Sequence, residues 1–322
     1  MLNRRDTLAA LALPFVLPGA ASASEWPARP VRLVVGWPAG GTADMIYRLI
    51  AERLTQSMGQ PVVVDNRAGA SGTIGADTVA KAPPDGYTLL GAASPELAIV
   101  KNTMKSVPYD ATHDFEPISL VALSTFMLVA SASVPATNLT ELIGYAKANP
   151  GKLNFASYGP GSSNHLVGEL FKTRAGIDIT HIPYRGSTPA MNDLLAGQVQ
   201  LMFDTVPVVM PHVQTQKLKP IALAQKERSI LATAVPTFAE AGMSDFIGGS
   251  WELLAAPKGT PASVIEAIWK ATDQAMRTGM SDVLTARGLV PMRLNPSDSR
   301  AFLAQEVRRW AEVAQRAGVR PE

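Results

Sequence analysis

The sequence predicts an α/β protein of two domains, on three observations. Apolar strands alternate with amphipathic helices, the order of βαβ units around a mainly parallel sheet. That order starts near residue 31 and restarts near residue 139. The 322 residues exceed what one hydrophobic core comfortably serves, and 47% of them are hydrophobic, enough to fill two.

Each element has a local reason. Residues 31–36 are an apolar run of strand length. Residues 42–58 follow as a helix, with Ile46, Leu49, Ile50 and Leu54 on one face and Gly59 and Pro61 ending it. Residues 61–65 form the next strand, and a loop with Gly69 and Gly72 leads into a short helix ending near Lys81. Pro83-Pro84-Asp85-Gly86 is a turn, residues 87–93 are the third strand, and Pro95 suits the first position of a helix. In the second half, the helices are 139–149, 164–175 and 189–196, and the strands are 152–157, 179–184 and 199–204, with Pro207 near the start of another helix.

The halves share a layout. Each has a strand, a glycine-rich turn and a helix, then a strand, an Arg-containing turn and a helix, then a third strand with a proline after it. The Arg turns are Asn66-Arg67-Ala68-Gly69 and Tyr184-Arg185-Gly186-Ser187. Duplication explains this, and so does the grammar common to α/β proteins. The C-terminal part adds helices at 261–280 and 297–317. In the second, Leu303, Val307, Trp310, Ala311 and Ala314 share a face, which makes Trp310 a core residue. If these helices pack on the first domain, the chain crosses twice, near 125–131 and 248–254. The expected domains are 24–127 with 252–322, and 128–251.

Charged residues are 17% of the chain and the net charge is +2, with no run of Lys or Arg, which argues against nucleic acid. There is no cysteine, so disulfides, thiolate chemistry and a lipid-anchored cysteine are excluded. The four His include no pair at helical metal-ligating spacing, and neither a metal nor a cofactor is expected. The N-terminus reads as an export signal spanning 1–23. Arg4 and Arg5 precede a mostly apolar stretch, and Ala21-Ser22-Ala23 suits cleavage after Ala23. A short buried helix is the other reading, against which Pro14 and Pro18 count. The Arg pair leaves the general and twin-arginine export routes both open.

Two turns carry the chemistry. Gly36-Trp37-Pro38-Ala39-Gly40-Gly41-Thr42-Ala43-Asp44 joins a buried strand to a helix. Glycine lets a backbone approach a ligand, and the first helical N–H groups with the helix dipole suit an anion. The spacing is neither a dinucleotide fingerprint nor a P-loop. The plainer reading is a tight connection capped by Thr42 or Asp44. Ser157-Tyr158-Gly159-Pro160-Gly161-Ser162-Ser163-Asn164-His165 occupies the equivalent place in the second half. Two such turns facing each other would hold one carboxylate, or both ends of a dicarboxylate. Its plainer reading is a surface loop with a serine cap. A Ser162–His165 hydrolytic pair lacks the G-x-S-x-G elbow. His181 lies in an apolar strand and reads as structural. Asp204 ends a buried strand, either to accept from a ligand or to cap the next helix.

At these residues the chain resembles the tripartite tricarboxylate transporter substrate-binding proteins, the Bug or TctC-like receptors. The likeness covers the mature chain. It is carried by the opening strand Trp26-Pro27-Ala28-Arg29-Pro30-Val31-Arg32-Leu33-Val34-Val35 and by Pro38-Ala39-Gly40-Gly41-Thr42-Ala43-Asp44. Further matches are Val64-Asp65-Asn66-Arg67-Ala68-Gly69-Ala70-Ser71-Gly72-Thr73-Ile74-Gly75 and Asp85-Gly86-Tyr87-Thr88-Leu89-Leu90. The most specific are His181-Ile182-Pro183-Tyr184-Arg185-Gly186-Ser187, Asp193-Leu194-Leu195-Ala196-Gly197-Gln198 and Met202-Phe203-Asp204. Trp37, where the family usually has Phe or Tyr, and the looser crossover Trp251-Glu252-Leu253-Leu254-Ala255-Ala256-Pro257 depart from the pattern.

The resemblance implies a periplasmic-binding-protein (Venus-flytrap) fold, two α/β domains joined by a two-crossing hinge. It implies a receptor for a small mono-, di- or tricarboxylate, held largely by backbone groups and waters. The leader adds a periplasmic location, the glycines and hydroxyls of the turns suit binding better than catalysis, and a monomer is expected. A membrane carrier of the same transporter class would be its partner. The expected ligand-binding set is Trp37, Ala39, Gly40, Gly41, Asp44, Ser94, Ser157, Tyr158, Gly161, Ser162, Ser163, His165, Arg185, Gly186 and Asp204. The competing classes are a ligand sensor for a signalling partner and a secreted hydrolase using Ser162 and His165.

Overall fold

The structure is a computed structural model and describes residues 26–321. The expected leader and its cleavage site lie outside the described residues.

The first strand-and-helix series runs β1 (Val31–Val35), α1 (Thr42–Met58), β2 (Val62–Asn66), α2 (Thr73–Ala80) and β3 (Thr88–Ala93). A π-helical turn at Pro95–Ile99 then leads into α3 (Val100–Thr103). β1 pairs in parallel with β2 and β3. The second series is α4 (Leu139–Ala148), β5 (Leu153–Ser157), α5 (Ser163–Ala175), β6 (Ile179–Pro183), α6 (Ser187–Leu195), β7 (Leu201–Thr205), α7 (Val206–Gln214) and β8 (Leu218–Leu223). Here β5 pairs in parallel with β6 and β7.

Two long strands join the series. β4 (Phe115–Ser131) lies antiparallel to β9 (Gly249–Pro257) over its first part. From Phe126 onward its partners are β7 and β8. β9 in turn pairs with β3, so the sheet order is β2-β1-β3-β9-β4-β7-β5-β6, with β8 also on β4. Gly249 lets the two long strands meet where β4 changes partners: a Cβ there would lie 2.3 Å from the Ser124 carbonyl oxygen. The long strand was not among the expected elements, and neither was β8.

The C-terminal elements are α8 (Ala262–Ala275), α9 (Ser281–Ala286), the short β10 (Val290–Pro291) on β4, and α10 (Pro296–Arg316). The helix expected over 261–280 leaves regular α geometry after Ala275, where Thr278 and Gly279 (φ 102°) are non-helical. α8 closes a core with α1 and β1 that contains Ile46, Tyr47, Ile50, Leu54, Ile265 and Ile268. Trp310 of α10 is 1% exposed and packs in the large core that runs under β4 and β9. Glu306 accepts from two indoles, Trp251 Nε1 at 2.8 Å and Trp310 Nε1 at 3.0 Å, which ties α10 to β9.

Candidate functional site

The parallel strands of both series point their C-terminal ends toward the same crevice, the place where open α/β sheets bind ligands. A cavity lies there, with about 50 Å³ of space reachable by the centre of a water molecule. A single water needs roughly 10–15 Å³ by that measure, so several waters or a small solute fit. Its apolar wall comes from Trp37, Pro38, Ala43, Ala93, Pro95, Phe126 and Tyr158. Its polar wall is Thr42, Ser124, Ser163, Ser187, Thr188, Thr205, Ser250 and Glu252. Among the described residues, no Lys or Arg lines it.

First-turn residues of three helices face this space: Thr42 and Ala43 of α1, Ser163 of α5, and Ser187 and Thr188 of α6. None of the three has a side-chain cap. The first N–H groups of a helix lack intrahelical acceptors, and its N-terminus carries about half a positive charge. The site therefore gathers partial positive charge without a cation.

Contacts across the crevice close it. Thr42 Oγ1 and Thr205 Oγ1 are 2.6 Å apart, and Ser71 donates to the Pro160 carbonyl at 2.6 Å. Pro38 packs where a Cβ on Gly186 would stand, 2.9 Å from its Cγ, and Trp37 meets Tyr158 edge-on at 6.1 Å between centroids. Behind the wall, the fully buried Asp204 accepts from Tyr158 Oη, from Ser187 Oγ at 2.7 Å and from the Thr205 N–H at 2.6 Å. Burial pushes its carboxyl up to about 6 against the pull of those bonds. Its oxygens are engaged by the protein, so it fixes Tyr158 and Ser187 in place.

Residues 46–319 match the model of the tripartite tricarboxylate transporter family receptor. The chain belongs to that family. It is 39% identical over 301 residues to Protein BugT of Bordetella pertussis, covering 93% of this chain and 92% of that one. Among solved structures, Rpa4515 of R. palustris with adipate is 36% identical, with a TM-score of 0.89, over 92% of this chain and 100% of that one. The periplasmic binding protein BugD is 34% identical, with a TM-score of 0.88 and the same coverage. The fold is therefore the one these periplasmic solute-binding proteins share.

In this receptor the expected residues fall into three groups. Trp37, Gly41, Tyr158 and Ser163 line the cavity. A second group supports its walls. Ser94 pairs with Ser250 through their hydroxyls at 2.9 Å. Ser157 meets His181 Nε2 at 2.5 Å. Ser162 is fully buried, and its hydroxyl lies within reach of the Gly159 carbonyl and Asn164 Oδ1, not of His165. His165 stacks on His181 at 4.1 Å and accepts from the Gly161 N–H, so no nucleophile–base pair forms between Ser162 and His165. Burial pushes His165 down to about 4, and burial with the charge of its neighbour pushes His181 to about 3, so both are neutral at pH 7. Gly186 and Asp204 also belong to this group.

The third group lies outside. Ala39 and Gly40 are exposed, and Gly40 borders an outer groove with Thr42 and Ser187. Arg185 is exposed on the rim of a wider cleft that also contains Ser71 and Lys105. Asp44 neither caps α1 nor lines the cavity: it accepts from the Gly40 N–H, Arg48 and Asn66, and holds the first turn. Burial alone would raise its carboxyl, but those bonds and the Arg48 charge hold it below the ordinary value. Arg67 is exposed and pairs with Asp65 at 3.0 Å.

Several lining residues were not foreseen. Ser124, Phe126, Ser250 and Glu252 come from β4 and β9, and Ser187 and Thr188 from the first turn of α6, just after Arg185 and Gly186. The one local signal was Glu252, a lone acid in an apolar run.

Proposed function

We propose that this chain is a periplasmic receptor that encloses a small carboxylate, a dicarboxylate foremost, and presents it to a membrane carrier of the tripartite tricarboxylate class. The observation that carries this is the cavity where three uncapped helix starts converge with serine and threonine hydroxyls and no Lys or Arg. Oriented N–H groups and hydroxyls suit an anion that arrives with its own charge. The adipate bound by the similar Rpa4515 supports the dicarboxylate reading.

On this reading the leader is removed after Ala23, and the mature chain works as a monomer. Its lobes are 24–127 with 252–322, and 128–251, and they part to admit the solute. The receptor performs no catalysis: among the described residues the hydroxyls that line the cavity bond to other hydroxyls or to Glu252 and Asp204 and to no histidine base, which suits binding rather than proton transfer. Thermal shift with mono-, di- and tricarboxylates tests the assignment. A carboxylate at about 100 times its Kd should stabilise the protein by roughly 2.7 kcal/mol, and neutral sugars should do nothing. Stabilisation by sugars or amines and by no carboxylate would overturn it.

A further inference from the structure

Glu252 lines the cavity and is 2% exposed. Its Oε1 accepts from Ser124 Oγ at 3.1 Å, while its Oε2 is buried with no hydrogen-bond partner among the described residues. Among the described residues, the groups that act on its carboxyl bring no counter-charge. On β4 its neighbour is Ser124, on α1 Tyr47 and in the β5–α5 turn Tyr158. Ahead of α3 lies Glu96, a second buried carboxyl. Glu96 is the better anion of the two, because it accepts from the Ala93 N–H at 2.7 Å and from Trp37 Nε1 at 3.2 Å. Burial pushes the Glu96 carboxyl up to about 8 as well, so neither acid is held ionised at pH 7, and Glu252, with the Ser124 bond alone, carries a proton there. With Ser124 donating to Oε1, that proton sits on Oε2, a donor with nothing to meet. A buried donor without an acceptor is costly, and a ligand that supplies one removes the cost.

We propose that Glu252 is a ligand-contact residue whose Oε2 hydroxyl donates to a carboxylate oxygen of the bound solute, and that it selects anions over amines. The proposal rests on the carboxylate-receptor reading and adds to it a neutral acid in the site. Burial first, and the Glu96 charge next, push the Glu252 carboxyl up to about 8, against the Ser124 bond. The sign follows. Below that value the acid is present and binds the anion; above it a carboxylate faces a carboxylate.

Calorimetry with adipate and succinate on the wild-type receptor, from pH 6 to 9.5, tests this. Affinity should be level to about pH 7 and fall roughly thirtyfold by pH 9.5. At pH 8.5, titration in buffers of different ionisation enthalpy should show uptake of roughly three quarters of a proton per solute bound. Glu252→Gln keeps a donor and cannot titrate, so it should bind within a few fold of wild type at pH 7 and stay level to pH 9.5. Level wild-type affinity without proton uptake overturns the proposal and leaves the receptor reading standing. A parallel fall in Glu252→Gln assigns the titration elsewhere and also overturns it. Tighter binding of 6-aminohexanoate than of adipate at pH 9 would make Glu252 an acceptor for cations, again overturning it. If neither diacid binds at any pH, the dicarboxylate reading fails and the proposal fails with it, while the wider carboxylate reading is decided by the thermal-shift series. The proton-uptake readout needs no variant.

Discussion

Gly41→Val probes the first turn with little damage to the fold. Gly41 has φ −84° and ψ 175°, an extended conformation open to any residue. A Cβ built on it meets only the Pro38 carbonyl oxygen, at 3.9 Å. Its neighbour Gly40 has φ 89°, where a side chain is strained, so Gly40→Val would mix a folding defect with a binding one. Gly41 lines the cavity, and valine adds three carbons to a space of about 50 Å³. Overpacking on that scale costs roughly 1–3 kcal/mol, which is about 5- to 150-fold in Kd. Losing glycine at the start of α1 costs about 1 kcal/mol of folding stability. Calorimetry with adipate reads the first quantity and thermal unfolding the second. A variant that melts near wild type and binds adipate with wild-type affinity would refute the placement of the ligand at this turn.

Three further outcomes follow from the geometry. Glu306→Ala leaves two buried indole N–H groups without an acceptor and should cost roughly 2–5 kcal/mol in thermal unfolding, while adipate affinity of the folded protein changes little. Arg185→Gln, at an exposed rim, should weaken adipate by less than about 1 kcal/mol, with the effect in the salt-dependent on-rate. Because the Glu252 carboxyl rises from 4.5 to about 8 on folding, its contribution is whole below pH 4.5 and is lost as pH climbs through about 8. Unfolding should therefore show roughly 2–5 kcal/mol less pH-dependent loss in Glu252→Gln than in wild type across that interval.

The strand-turn-helix series was legible because each piece is local. An apolar run, a glycine pair and an i, i+4 face placed β1, its turn and α1 within a residue or two. The long β4 was not legible. Its residues form one nearly continuous apolar run, FEPISLVALSTFMLVAS, in which periodicity does not separate strand from helix. Pro220 similarly hid β8, since proline is a poor resident of central strands.

The site divides the same way. Gly41, Trp37, Tyr158 and Ser163 sit in turns whose chemistry can be read from adjacent residues. Ser124, Ser250 and Glu252 meet only because β4 and β9 pair, with Ser124 opposite Ser250 and Ala122 opposite Glu252 after two shifts of register earlier in the strands. That pairing joins residues more than 120 positions apart, and no local motif encodes it. Asp204 was visible as an acid ending a strand. What its neighbours would do was not: Ser187 and Tyr158 take up the oxygens that the sequence left free for a solute.

The central claim is that oriented N–H groups and hydroxyls hold an anion in a cavity lined by no Lys or Arg. Calorimetry of the wild-type receptor with adipate and with its neutral diamide, adipamide, at pH 7 tests it directly, because the two differ in charge at nearly equal size. Hydrogen bonds to a charged acceptor contribute about 1.5–3 kcal/mol each, so the diamide should bind at least roughly a hundredfold more weakly. Equal affinity for the two would contradict the account.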